Sequence, residues 1–445
     1  MKTAELTARI RDNGVVGAGG AGFPTYQKID ERVETILLNC GECEPLLKLH
    51  RQLLRSHTRE ILSAFSMVGD AVNARERIVA VKERYRDTVQ ALRASLPEFP
   101  KVRLHFLPDA YPMGDEVVLI YEATGKVVSP GGLPIEAGIA VFNVETVYNI
   151  HNAVEANLPV TDKLVSVVGE VKTPLTLKIP IGASFQAAVT LAGGEAIQES
   201  QYLAGGPMMG KIGSPYDPVT KTTNAILVLP KTHPLIQKRR IPASLSRKRA
   251  ASACCQCRLC TDLCPRYSLG HPIRPHQFMR AASGHDFRDP DAFLNLFFCS
   301  GCGLCESYSC PQSLSPRSLI AECKDGLRRA GVSPPKGMSA APVLSAREYR
   351  KVPEHRLQAR LGLSGYETEA PFREDIQKVM EVRIPFSQHI GMSALCVVAK
   401  GEKVARGQLI GKAAAGLSVP VHASIDGTVT RITEKYVEIT GEPRR

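Results

Sequence analysis

Cys254-Cys255-Gln256-Cys257-Arg258-Leu259-Cys260-Thr261-Asp262-Leu263-Cys264-Pro265 and Cys299-Ser300-Gly301-Cys302-Gly303-Leu304-Cys305-Glu306-Ser307-Tyr308-Ser309-Cys310-Pro311 hold nine of the chain's 13 cysteines. With Cys255 set aside, the first run is spaced C-x2-C-x2-C-x3-C-P and the second C-x2-C-x2-C-x4-C-P. Three thiolates two residues apart can wrap one corner of a metal cluster. The fourth, before proline, lies too far along the chain for that cluster and ligates a second one. The two runs are therefore expected to lie side by side, each lending its last cysteine to the other.

The first spacing is that of bacterial two-cluster ferredoxins, and the second differs by one residue. Cys254, Cys257, Cys260 and Cys310 are assigned to one [4Fe–4S] cluster. Cys299, Cys302, Cys305 and Cys264 are assigned to the other. Paired zinc sites are the alternative, but zinc usually takes two CxxC pairs, or one pair with histidines. Cys255 could replace Cys254 as a ligand; the plainer expectation is a packed bystander thiol. Cys323 and Cys396 are expected to be buried apolar residues.

The 445 residues suggest about three domains. A charged fraction of 22% is ordinary for a folded chain, and 36 glycines with 31 prolines predict many turns. The net charge of +12 permits an acidic partner. No recognition helix, zinc-finger spacing or aromatic RNA-binding signature is present, so no nucleic-acid partner is expected. No apolar run reaches the roughly 18 residues of a membrane span. Met1 to Asn13 lacks a signal-peptide core, so a cytoplasmic location is expected. Disulfides are disfavoured there, which again points the cysteines toward metal.

Upstream, apolar strands at Glu34–Asn39, Ile78–Val81 and Val102–Phe106 alternate with helical stretches at Thr3–Arg11 and Leu46–Val68, predicting an α/β sheet. From Leu164 the pattern becomes two strands around a Lys-Thr-Pro turn, then a helix at Phe185–Leu191. Lys231–Ala250 reads as a basic linker wrapping a polar face, and Gly331–Phe372 as a Pro- and charge-rich linker. Val382–Glu438 has short strands between glycines, predicting a small all-β unit.

Gly17-Ala18-Gly19-Gly20-Ala21-Gly22 can bring backbone N–H groups close to a phosphate, because no Cβ obstructs the approach. Alone it is a weak signal. It precedes the first strand, unlike a dinucleotide fingerprint, and lacks the Gly-Lys-Ser/Thr of a P-loop. With Phe23-Pro24-Thr25 and Lys28, however, it resembles the flavin loop of the 51-kDa NADH-binding subunit of respiratory complex I. Three further segments follow in that family's order. They are Asn39-Cys40-Gly41-Glu42-Cys43-Glu44-Pro45, Tyr111-Pro112-Met113-Gly114-Asp115-Glu116 and Phe142-Asn143-Val144-Glu145-Thr146.

The resemblance implies that Gly17, Ala18, Gly19, Gly20 and Gly22 cradle FMN, with Lys28 on the flavin side of the site. It implies that Asn39, Glu42 and Cys43 line one face. Tyr111, Gly114, Asp115 and Glu116 would form the opposite wall, and Asn143 and Thr146 would close the site near the phosphate. Phe23 is the candidate to stack on the adenine of NADH, with Glu42 and Glu116 as its polar contacts. Ala18 and Cys43 depart from the family, which has a basic and a small polar residue there. Without the other motifs, Glu42, Asp115 and Glu116 would read as solvated loop carboxylates.

Val168-Gly169-Glu170-Val171-Lys172-Thr173-Pro174 and Leu191-Ala192-Gly193-Gly194 resemble the soluble-ligand-binding β-grasp domain of the same superfamily. The tail, with His389 and His422, resembles a barrel-sandwich hybrid. Its Lys412-Ala413-Ala414-Ala415-Gly416-Leu417 lacks the context of a modified carrier lysine, and both histidines are expected to be hydrogen-bonded fold residues. The expected order is a Rossmann-like α/β FMN/NADH domain (1–158), a β-grasp domain (159–230), a basic linker (231–250), a ferredoxin-like helical double-[4Fe–4S] module (251–331), a linker (332–378) and a barrel-sandwich hybrid (379–445).

Two clusters resemble the C subunit of the Rnf electron-transport complex. The C-terminal position of the hybrid domain resembles instead the cobalamin reductases of propanediol-utilisation bacterial microcompartments. That resemblance implies electron transfer from NADH through FMN and two clusters to cobalamin cobalt, sustaining a B12-dependent diol dehydratase. It extends to a corrinoid adenosyltransferase and microcompartment shell proteins as partners, inside or at the shell. The alternatives are a conduit to a protein electron acceptor and a structural microcompartment component. No corrinoid-binding Asp-x-His-x-x-Gly motif is present, so cobalamin would bind loosely or on a partner.

Overall fold

Apolar, β-branched runs form the first sheet of the computed structural model, which describes residues 2–284 and 286–441. Met1, His285 and 442–445, parts of the expected segments 1–158, 251–331 and 379–445, lie outside the described residues. Four parallel strands stand in the order Val102–Leu107, Glu76–Lys82, Thr35–Cys40 and Ile139–Asn143. The chain steps outward from Thr35–Cys40 on one side and returns at Ile139–Asn143 on the other. The carboxyl ends of these two strands therefore flank a topological switch point, where open α/β sheets hold ligands.

The helix expected over Leu46–Val68 is two, Leu49–Ser56 and Thr58–Ala71. The break at His57 has a tertiary cause. Its ring packs 4.6 Å from Tyr148, and its Nε2 lies 2.5 Å from Glu374 Oε1.

A six-stranded sheet follows, in the order Phe372–Ile376, Leu175–Pro180, Asp162–Gly169, Ala225–Pro230, Ser200–Ala204 and Lys211–Gly213. Asp162–Gly169 and Leu175–Pro180 pair antiparallel, and Ser184 caps the helix Phe185–Leu191 by accepting from Ala187 N. Gly169 has φ +93°, and a Cβ there would lie 2.1 Å from Val228 O, so only glycine fits.

The cysteine module is built from short helices around Ala250, Phe278, Leu296, Leu319 and Ile320. The C-terminal unit stacks a four-stranded on a three-stranded sheet. Its buried Ile384, Phe386, Val429 and Ile439 are continuous with the core of the first domain.

The two segments read as linkers are folded. Residues 231–250 contain the helix Pro234–Arg239 and most of the helix Ala243–Ala253. Val352–Pro353 pairs with Ala110–Tyr111, and Phe372–Ile376 adds an edge strand to the second sheet. Glu354 takes an ion pair from the fully buried Lys82 and another from Arg84 at 2.8 Å. Cys255 and Cys396 are exposed, against the expectation of a packed bystander and a buried residue, whereas Cys323 is half-buried and packs against the core of the cysteine module. Cys396 sits on a two-residue strand whose burial pattern is exposed throughout. Among the described residues no helix is long and apolar enough to cross a membrane.

Candidate functional site

The glycine loop lies at the switch point. Its neck is closed by Gly17 N donating to Phe23 O at 2.9 Å, while Phe23 itself is half-buried. Gly20 and Gly22 take φ +64° and +67°, which favours glycine. Ala18 N donates to Thr146 Oγ1 at 2.9 Å, so the loop sits on the N-terminus of the helix Val144–Glu155. Asn143 caps that helix by accepting from Glu145 N at 2.9 Å, and its amide lies 3.2 Å from His50 Nε2.

On the other side Asn39 donates to Gly114 O at 3.0 Å and accepts from Gly41 N. Gly114 N in turn donates to Cys43 Sγ at 3.3 Å. Lys28 pairs with Glu116 at 3.3 Å and donates to Val141 O at 2.7 Å. Glu42 is buried. Its Oε1 accepts from His50 N while Oε2 makes no hydrogen bond and lies 4.0 Å from Arg51 Nε, and burial raises its pKa, Arg51 opposing.

Two expected wall residues face elsewhere. The Tyr111 hydroxyl donates to Cys302 O at 2.6 Å. Asp115 caps the helix Glu116–Thr124 and pairs with Arg266 at 2.9 Å. Both tie the crevice to the cysteine module. Sequence reasoning missed Asn224, whose amide nitrogen would lie 3.1 Å from a Cβ on Gly19 and whose Oδ1 is buried without a partner. It also missed Glu44, which accepts from Met208 N and Met209 N at 2.7 and 2.9 Å. Asn224 carries no local signal, and Glu44, though part of the motif 39–45, acts across a domain boundary that the motif does not reveal.

The crevice fits FMN. The loop's N–H groups and a helix N-terminus favour a phosphate. Open space beside Gly20 leaves the backbone approachable. Asn224 Oδ1 and Glu42 Oε2 have no hydrogen-bond partner, and a ribityl or ring group can satisfy them.

Cys254, Cys257, Cys260 and Cys310 line one cavity, which the exposed Cys255 also lines, and Cys264, Cys299, Cys302 and Cys305 line another. The two runs share a backbone. Gln256 and Arg258 have φ +52° and +65°, and the matching Gly301 and Gly303 have +73° and +83°. This turn curls three thiols around a void. Among the described residues no three His, Cys, Asp or Glu groups converge as ligands of a single metal ion would. A void ringed by four or more cysteines suits a multi-iron cluster better than tetrahedral zinc. Burial, with the neighbouring thiols, pushes Cys260 up to about 12, and burial pushes Cys264 up to about 11. Iron must displace those protons, so loading is proton-coupled. The cavity of Cys302 adjoins the crevice; the cavity of Cys257 opens at the surface.

A buried lysine joins three domains behind the loop. Lys221 Nζ donates to Gly14 O at 2.7 Å and Pro420 O at 3.3 Å, while Lys221 N donates to Gln388 Oε1 at 3.0 Å. His389 accepts from Val419 N at 3.4 Å, whereas His422 Nδ1 is buried without a partner. Burial lowers Lys221 to about 7. Between that value and the unfolded value near 10.5, the unfolded chain holds one more proton, so stability rises with pH by up to about 1.4 kcal/mol per unit. Below pH 7 the penalty is constant. Lys221→Met is expected to remove that slope, which denaturant titrations at pH 7 to 9.5 will show.

Family models match in the order of these units. The Nuo51 FMN-binding domain covers residues 10–152, the SLBB domain 164–211, a 4Fe-4S dicluster domain 253–315 and the RnfC barrel sandwich hybrid domain 367–442. The C subunit of the Na(+)-translocating ferredoxin:NAD(+) oxidoreductase complex of Acetobacterium woodii is 30% identical over 60% of this chain and 58% of its own. A crystal structure of an NAD+-reducing [NiFe]-hydrogenase in the H2-reduced state shares the fold at TM-score 0.50 and 20% identity, over 85% of this chain and 69% of that one. Cobalamin reductase PduS of Salmonella typhimurium (strain LT2) is 44% identical over 99% of this chain and 97% of its own, and that of Citrobacter freundii 42% over 98% and 96%. With the flavin crevice, both cysteine cavities and the C-terminal sandwich all spanned by one alignment, the chain belongs to the family of cobalamin reductase PduS.

Proposed function

We propose that this chain is an NADH-dependent flavin and iron–sulfur oxidoreductase that reduces the cobalt of cobalamin and so keeps a B12-dependent diol dehydratase supplied. One observation carries the reading: a single loop, 111–115, walls the flavin crevice and bonds the module holding the Cys302 cavity. FMN, when bound, accepts a hydride as an electron pair and returns electrons singly, as iron–sulfur clusters require.

The protein's part is placement. The N–H groups of Gly19 to Gly22 hold the phosphate, while Gly17 N and Ala18 N, bonded to Phe23 O and Thr146 Oγ1, fix the loop beneath them. Asn39, Cys43 and Gly114 set the ring-side wall, and Lys28 is held by Glu116 and Val141 O at its edge. Glu42 and Glu116 offer polar contacts to NADH, and Phe23 an aromatic face. Cys264, Cys299, Cys302 and Cys305 hold the cluster near the crevice. Cys254, Cys257, Cys260 and Cys310 hold the one near the surface. A corrinoid adenosyltransferase and microcompartment shell proteins are the partners this reading favours, with the protein inside or at the shell; what supports them is the likeness to a propanediol-utilisation reductase.

A Cβ on Gly114 would lie 2.8 Å from Gly41 O and 3.2 Å from Cys43 Sγ. Gly114→Ala is expected to cost about 1–3 kcal/mol of overpacking and to lower bound flavin, read as FMN per chain after gel filtration. The reading itself is tested by mixing anaerobic protein, NADH and hydroxocobalamin and following the cobalamin spectrum. Reduction that depends on both NADH and protein supports it; an unchanged cobalamin spectrum while NADH is consumed overturns the assignment of the acceptor.

A further inference from the structure

The surface cavity has a basic rim. Cys255, Gln256, Cys257 and Arg258 are exposed, as are Pro311 and Gln312 across the opening. Arg258 lines the cavity with His276 and Met279 of the helix Pro275–Gly284, and the exposed Arg274 and Arg280 stand next to those wall residues, just before that helix and just after Met279. Acidic groups facing this region are few. Asp262 lies 3.9 Å from Arg258 and 3.6 Å from Arg350, and Asp286 is bound by Arg288 at 2.8 Å. Among the described residues Arg274 and Arg280 have no carboxylate within ion-pair distance. Leu259, 41% exposed, adds an apolar contact beside Arg258.

We infer that this rim is the docking surface of an acidic protein that presents the electron acceptor, resting on the function proposed above. Charge complementarity is the argument. Three arginines around the most exposed thiol quartet steer an anionic face to the point where electrons leave. They do nothing for a neutral or cationic corrinoid arriving free. The step is one electron per encounter, with no proton or bond transferred.

The test uses full-length protein reduced with dithionite, so NADH and its site are not involved. Two oxidants are compared by stopped flow: native cytochrome c, which is basic, and cytochrome c whose lysines are succinylated. Each takes one electron, ferric haem becoming ferrous. At low ionic strength the succinylated form is expected to be reduced at least ~10-fold faster, the preference shrinking toward parity at about 0.5 M salt. R258E/R274E/R280E is expected to reverse the order. R274E/R280E, which leaves the cysteine run untouched, is expected to shift it the same way with iron content and both cluster EPR signals retained. Equal rates for the two oxidants, or variants with intact EPR signals and unchanged rates, would overturn the docking surface alone. Charge-blind electron transfer together with retention of an RNA oligonucleotide at physiological salt would assign the patch to nucleic acid and overturn it too. Absence of cluster signals after dithionite would overturn the underlying function as well.

Discussion

Cys302→Ala is expected to lower the iron content from about eight to about four per chain and to leave the remaining cluster oxidised when NADH is added. Cys257→Ala is expected to lose the same four irons, yet its remaining cluster is expected to be reduced by NADH. The difference follows from placement. Cys302 stands in the cavity that adjoins the crevice, its carbonyl bonded to Tyr111 Oη at 2.6 Å, whereas Cys257 is exposed in the other cavity. Iron analysis with low-temperature EPR before and after NADH reads both outcomes. Equal NADH reduction in the two variants would mean that the cavities are not arranged in series. Both variants are expected to lose cobalamin reduction.

Glu145→Ala is expected to cost about 3–5 kcal/mol, because it strands a buried ammonium. Glu145 and Lys163 form an ion pair with side chains 2% and 1% exposed, and Glu145 Oε1 also accepts from Leu164 N at 3.0 Å. The pair joins the helix Val144–Glu155 to the first strand of the second sheet. Burial lowers Lys163, the Glu145 carboxylate opposing. Glu145 stands between Asn143 and Thr146, so its loss is also expected to release flavin. Glu145→Ala/Lys163→Met is expected to recover most of the stability, since no charge is then left buried. Denaturant unfolding of the flavin-free proteins followed by circular dichroism measures this. A single variant within about 0.5 kcal/mol of the parent would contradict it.

Thiol spacing carries unusual information, because a cluster constrains residue separations directly. The quartets expected from the two runs each line one cavity, although the second run is a residue longer. Three of the four parallel strands were legible from their apolar runs, the fourth, Ile139–Asn143, being read only as part of a motif, and the four-unit order was legible from motifs in register. Features made across long separations were not legible. Phe372–Ile376 is a short strand with an exposed, charged middle, and only its pairing with Leu175–Pro180 makes it a strand. Lys221 looks like a surface lysine until three domains close over it. Tyr111 and Asp115 sit in a recognisable motif, but what their side chains touch depends on where the cysteine module docks. The motif therefore located the site without revealing that two of its residues form the joint to the clusters.

The central claim is that one chain holds FMN and two clusters in electronic contact. It is tested most directly by an anaerobic NADH titration of protein whose iron, sulfide and flavin have been counted. The account expects about eight irons and one FMN. It also expects bleaching that ends near two NADH per chain, since one flavin takes about two electrons and each cluster about one. Iron without flavin, or a full complement of both with no bleaching by NADH, would contradict it.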